Sequence, residues 1–263
     1  MKYTLGFIGV GNMGSALLYA ALRSVDADKI AICDTNTEKT ESLAKAYGVT
    51  VTTAEEIAKN ANFVILGVKP YAIKGVIEII APYLHPGATL VSMAAGVSLW
   101  QIGSYLSDER SIIRIMPNTP CAVGMGVIQY AAVNTSEDKK DAFVSAFSAA
   151  GLLDEIAESQ IDAASALSGC GPAFVYLFAE ALADGAVACG LPRDKAILYA
   201  AKTLQGAGKM LEEYRSAGDL KDAVCSPGGT TIAGVHALEK GGLRGAAMDA
   251  VVAAYEKTLK LKS

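Results

Sequence analysis

Directly after its first apolar stretch the chain carries the glycine-rich turn G-V-G-N-M-G, with Gly9, Gly11 and Gly14 in the pattern G-x-G-x-x-G. A strand pattern over Leu5 to Gly9 leads into the turn, and helical apolar spacing over Ser15 to Val25 leaves it. Glycines at this spacing turn the chain tightly, bring backbone close to a pyrophosphate and pack helix on strand. The pattern alone is common. Placed after the very first strand, it constrains the fold to one opening with a dinucleotide-binding strand–turn–helix, in which Gly9, Gly11, Asn12, Met13 and Gly14 are cofactor-binding candidates.

The rest of the first half keeps the same grammar. Strand patterns at Lys29 to Asp34, Val49 to Thr52, Phe63 to Val68, Thr89 to Ser92 and Ser111 to Met116 alternate with helical ones. Gly126 to Ala132 and Leu153 to Ile156 read as further strands flanking a helix from Glu137 to Ala150. Strands this apolar, with helices between them, imply a parallel sheet covered on both faces. After about Gln160 the strand signal stops, and Ala-rich helical patterns run to the end, interrupted at Gly169 to Pro172. The expected organisation is a Rossmann domain over residues 1–160 and an all-helical domain over 161–263.

Composition narrows the partners. Hydrophobic residues make up 52% and charged ones 19%, lean in charge for a soluble protein. The longest apolar run, Ala173 to Cys189, carries Glu180 and Asp184, which reads as too short and too charged for a membrane span. The apolar excess therefore points to a subunit interface. A net charge of −4 gives no support for nucleic-acid binding. Five cysteines without C-x-x-C spacing and two distant histidines make no zinc pattern. With no signal-peptide pattern at the start, a cytoplasmic location is expected.

Further candidates lie where strands end. Asp34 closes the second strand about 20 residues past Gly14, where a carboxylate accepts from a ribose 2′-hydroxyl and repels a 2′-phosphate, favouring NAD. The alternative is a solvated turn residue, with Thr35 and Asn36 meeting a phosphate. Val68, Lys69 and Pro70 end the fourth strand, and M-P-N-T-P, Met116 to Pro120, ends the sixth; both loops should face the cofactor. Asn118 either orients the nicotinamide end or forms the turn between two prolines, and Lys69 is either a ligand or a solvated charge. Near the other end of the chain, S-P-G-G-T-T at Ser226 to Thr231 opens a helical pattern. Such a turn gathers unblocked N–H groups at a helix start, suited to a carboxylate.

Together these motifs resemble the pyrroline-5-carboxylate reductase family over essentially the whole chain. The resemblance rests on G-F-I-G-V-G-N-M-G from Gly6, V-K-P from Val68, M-P-N-T-P from Met116 and S-G-C-G-P-A-F from Ser168. Most specific is D-A-V-C-S-P-G-G-T-T-I-A-G-V-H-A-L-E from Asp222. It implies hydride transfer from NADPH, with NADH possible, to the C=N carbon of 1-pyrroline-5-carboxylate, giving L-proline, and no metal. It also implies that the helical half interlocks two subunits, as a homodimer or a decamer of five dimers. On this reading the amides of Gly228, Gly229 and Thr230, beside Ser226, hold the substrate carboxylate. The Thr231 hydroxyl, the one catalytic candidate, bonds the ring nitrogen. Cys170 stands where serine is common in the family, and Asp34 sits awkwardly with its leaning to NADPH. Two rival readings are a β-hydroxyacid dehydrogenase-like enzyme and a non-catalytic dinucleotide sensor. The first needs a lysine with an asparagine four residues on, and Lys202 is followed there by Gly206.

Overall fold

Valine, isoleucine, leucine and phenylalanine fill the strands of the first half because both faces of the sheet are covered. The computed structural model describes residues 1–260. The strands are β1 (Tyr3–Ile8), β2 (Ile30–Cys33), β3 (Thr50–Val51), β4 (Ala61–Leu66), β5 (Thr89–Ser92), β6 (Ser111–Pro117), β7 (Gly126–Val133) and β8 (Gly151–Glu155). Between them lie α1 (Asn12–Ala21), α2 (Thr37–Tyr47), α3 (Ala54–Asn60), α4 (Ile73–Ile80), α5 (Leu99–Ser104) and α6 (Glu137–Ala146). The sequence pattern did not give α3. Its start is fixed by the Thr53 hydroxyl, which accepts from the Glu56 amide, a side-chain cap of the usual kind.

The strands form one eight-stranded sheet in the order β3-β2-β1-β4-β5-β6-β7-β8. Alternate side chains divide between two cores, as a period of two requires. Leu5, Phe7, Phe63 and Ile65 pack on one face with Phe143 and Phe147, while Ile8, Val64 and Leu66 pack on the other with Ile57, Ile77 and Ile102. The sheet is not wholly parallel, as the sequence had suggested: β7 runs antiparallel to β6. The loop at 118–125 is too short for a crossover, which takes a dozen or more residues. The β7–β8 connection contains α6, and that pair is parallel again. Both sheet edges are short, β3 with two residues and β8 with five.

The second half is helical throughout: α7 (Ile161–Ser168), α8 (Gly171–Ala188), α9 (Arg193–Tyr214), α10 (Ala217–Ala223), α11 (Thr230–Lys240) and α12 (Leu243–Lys260). Two compact units result, Gly171–Ala253 and the remainder, so that α7 groups with the sheet although it is helical. The reason is local, since Ile161 is buried in the second sheet core and Asp162 pairs with a strand arginine. By itself the helical unit buries few apolar side chains, its small cluster being Ala183, Ala196 and Ala200. One stretch, Glu158–Ala188, has the length and hydropathy to cross a membrane, where the sequence reading judged the shorter run insufficient. It is broken by the turn at Gly169 and Cys170, and its first part is held to the sheet by Asp162.

Candidate active site

The dinucleotide turn is built by backbone packed on backbone. Gly9 holds φ at +96°, a conformation that side chains disfavour. Its N–H donates to the Cys33 carbonyl, and the Gly67 N–H donates to the Ile8 carbonyl, each at 2.8 Å, stitching the ends of β1, β2 and β4 together. A Cβ on Gly14 would lie 2.4 Å from the Gly9 carbonyl oxygen, and one on Gly67 2.2 Å from it. Gly67 belongs to the turn as firmly as the motif glycines, although no spacing rule marks it.

Gly11 is different. A Cβ there would meet nothing within 4 Å, so the missing side chain leaves room in front of α1 rather than satisfying a packing need. No side chain caps this helix, and the first-turn amides of Asn12, Met13 and Gly14 have no acceptors within it. Open space before an uncapped helix start fits a pyrophosphate.

Asp34 braces the turn from below. Its carboxylate accepts from the Val10 amide at 2.7 Å and from the Asn36 amide at 2.9 Å. Partial burial works to raise its pKa, but the Asn36 and Val10 amides, the Thr35 hydroxyl and the Lys39 charge outweigh it and hold the group below the ordinary carboxylate value. Burial first, and then the Asp34 charge, push the neighbouring Cys33 thiol up to about 11. The end of β2 therefore presents one carboxylate and a neutral thiol. Thr35 is exposed beside it, 3.4 Å from the Asp34 carboxylate.

Beyond β4, Val68 is half-buried, while Lys69 and Pro70 are exposed at the start of a short helical turn closed by the Ala72 amide on the Lys69 carbonyl. Beyond β6, the Asn118 side chain is committed to internal partners. Its Nδ2 donates to the Ser168 carbonyl at 3.0 Å, and its Oδ1 accepts from the Val127 amide at 2.9 Å. Of the two roles the sequence left open, this geometry favours shaping the turn. The Ser168 hydroxyl in turn meets the Gln129 side-chain amide, 2.8 Å from its Nε2, and donates to the Ala164 carbonyl.

The turn before α11 is also a cradle with an open mouth. Gly228 sits at φ +69°, with nothing near a would-be Cβ. Gly229 is the residue capping the helix, and it supplies no side-chain cap. Its own N–H closes the turn onto the Ser226 carbonyl at 3.0 Å, which corrects the expectation that this amide is free for a ligand. The open first-turn donors are instead the amides of Thr230 and Thr231, both exposed residues.

Sequence reasoning missed a buried ionic network. Arg114, in the middle of β6 and 1% exposed, donates from Nη1 to Glu158 at 3.1 Å and from Nη2 to Asp162 at 2.9 Å. Glu158 also accepts from the Leu99 amide at 2.7 Å, and Arg114 Nε has no partner among the described residues. The only local signal was a lone arginine inside the apolar run Ile112 to Met116.

Comparison with known proteins decides the family. The chain is 42% identical to pyrroline-5-carboxylate reductase of Pisum sativum, over 99% of this chain and 96% of that protein. The chain belongs to the pyrroline-5-carboxylate reductase family. It is accordingly an NAD(P)H-dependent oxidoreductase of proline biosynthesis. The dimerisation domain of pyrroline-5-carboxylate reductase matches residues 158–261, and a domain described as NADP oxidoreductase, coenzyme F420-dependent, matches residues 4–96. Among solved structures, a pyrroline-5-carboxylate reductase from Coxiella burnetii superposes with a TM-score of 0.90 at 33% identity over 100% of both chains. A pyrroline carboxylate reductase from Plasmodium falciparum with NADP bound gives 0.87 at 33% identity, again over 100% of both chains. The dimerisation match accounts for the apolar stretch in α8, which belongs to a domain that pairs with a second copy.

Proposed function

We propose that this reductase acts on 1-pyrroline-5-carboxylate through the turn before α11 and takes NADPH on the turn before α1, releasing L-proline. The observation that carries the reading is the uncapped start of α11, where Thr230 and Thr231 present unbonded amides and exposed hydroxyls. A carboxylate accepts from these two amides at the positive end of the helix dipole. Gly228 and Ser226 shape the mouth, and Gly229 holds the turn closed. The Thr231 hydroxyl bonds the ring nitrogen and fixes which face of the C=N group is presented. A protonated imine is already electrophilic, so these residues orient rather than exchange protons, and most of the rate gain comes from proximity.

When bound, the reduced nicotinamide supplies the hydride. Gly9, Gly11, Asn12, Met13 and Gly14 would hold the pyrophosphate, with Val68, Lys69, Pro70 and the Asn118 turn along the carboxyl ends of β4 and β6. NADPH as the cofactor is supported by the Plasmodium falciparum relative with NADP bound, and Thr35 is exposed where a 2′-phosphate could be met. The ionised Asp34 carboxylate beside it is what keeps NADH as the alternative. The working molecule is a homodimer joined through its helices, and a ring of five dimers is the larger assembly consistent with the resemblance. Free cysteines accord with a cytoplasmic location.

Replacing Thr231 by Ala should lower kcat/KM for pyrroline-5-carboxylate while the Kd for NADPH stays unchanged. An unchanged kcat/KM would remove Thr231 from the mechanism.

A further inference from the structure

A buried ion pair is poor value for stability. The attraction between the charges roughly offsets the cost of taking them out of water, and apolar replacements of equal volume are often as stable or more so. Arg114 is a costly example, because it is fully buried and its Nε is unpartnered among the described residues. Such a group makes sense where direction matters more than energy.

What the network directs is α7. At the start of that helix Arg114 holds Asp162, and on the residues leading into it Arg114 holds Glu158, itself tied to the Leu99 amide. At the far end of α7 the Ser168 carbonyl accepts from Asn118, and its hydroxyl meets Gln129. The helix is therefore pinned at both ends to β6 and β7. Arg114 and Asn118 lie on one strand and its exit, so the distance between the two pins is set by a single rigid element. At the end of α7, Ser168 is bonded to the loop at the carboxyl end of β6 through Asn118, and Gly169 and Cys170 follow it directly.

We infer that Arg114, with Asp162 and Glu158, is a positioning network for hydride transfer: it sets α7 so that the Ser168–Cys170 turn shapes the nicotinamide end of the cofactor site. The inference rests on the reading that the loop after β6 faces the nicotinamide. Arg114 touches neither substrate nor cofactor. Its effect falls on the geometry of the reacting ring and leaves the pyrophosphate turn, across the sheet at β1, untouched.

The discriminating variant is the apolar pair Arg114→Met with Asp162→Leu. Its Tm should equal or exceed that of the parent, and its Kd for NADPH should stay within threefold. Its kcat should fall tenfold or more, and the primary isotope effect on kcat with NADPH deuterated at the transferred position should rise as hydride transfer becomes limiting. Arg114→Lys and Asp162→Asn read the same quantities if the pair does not fold, with Arg114→Lys recovering part of kcat. A kcat within twofold of the parent with an unchanged isotope effect overturns the inference. So does a weakening of NADPH binding that accounts for the whole loss, and so does failure of all three variants to fold, which would make the network structural. A parent enzyme that did not turn over pyrroline-5-carboxylate would refute the proposed substrate and, with it, the role assigned to this network.

Discussion

The sheet unit and the helical unit solve the burial problem in opposite ways. The sheet unit hides large side chains on both faces, with Phe7, Phe143 and Phe147 fully inaccessible. The helical unit hides three alanines and leaves Leu177, Leu198 and Met248 mostly exposed. One region brings its whole core with it. The other carries little core of its own, and it is the part of the chain that matches the family's dimerisation domain. Length and helix content are therefore no guide to self-sufficiency; the identity of the buried residues is.

That contrast can be broken most forcefully at Leu177. Replacing it by Asp should place a charge in the subunit interface, dissociate the dimer and lower activity by about 100-fold or more, since an unpaired buried charge costs several kcal/mol. Sedimentation at several protein concentrations checks this, and an intact dimer with parental Tm would move the interface elsewhere. Phe143→Ala tests the other side: it should cost about 3–5 kcal/mol without altering the association constant. A mutant whose loss of stability tracked dimer dissociation would mean that the two cores are not independent.

Two glycine substitutions sharpen the comparison within the sheet unit. Gly14→Ala drives a methyl group onto the Gly9 carbonyl and should reduce both stability and NADPH binding. Gly11→Ala meets open space, so its Tm should hold while NADPH affinity falls about tenfold, roughly 1.4 kcal/mol. Equal effects on Tm from the two would deny Gly11 its separate role. The smallest expected effect is a pH dependence. Asp34 has a depressed pKa in the folded state, so its bracing of the turn is fully present above the unfolded value of about 4 and is lost as pH falls through the lower, folded one. Thermal melts of the parent and of Asp34→Asn should converge at the acidic end of that range and separate above it; parallel curves throughout would mean that the brace contributes nothing.

Spacing made much of this legible. The motif glycines, the alternation of strand and helix, and the P-G-G-T-T turn were all readable because each reflects a local backbone requirement. What escaped was set by partners distant in sequence. Arg114 meets carboxylates 44 and 48 residues away, and nothing in Ile112 to Met116 announces them. The direction of β7 was within reach, because the nine residues between Met116 and Gly126 are already too few for a parallel crossover; the apolar run of β7 resembles its parallel neighbours and hides the reversal. The Gly229 amide was misjudged for a subtler reason, since whether a turn N–H points outward or closes onto residue 226 depends on torsions that composition does not encode. The partner that ties Asn118 into its turn, the Ser168 carbonyl, lies 50 residues further on and left no local trace either.

The short strands at either side of the sheet have a bearing on how copies of this enzyme avoid meeting wrongly. A long flat margin of unpaired N–H and C=O groups invites another chain to add itself strand by strand, the first step toward aggregates. Here one margin is a two-residue strand and the other carries Asp154 and Glu155. Crowded molecules are thus discouraged from zipping together along the sheet, and productive encounter is left to the helices.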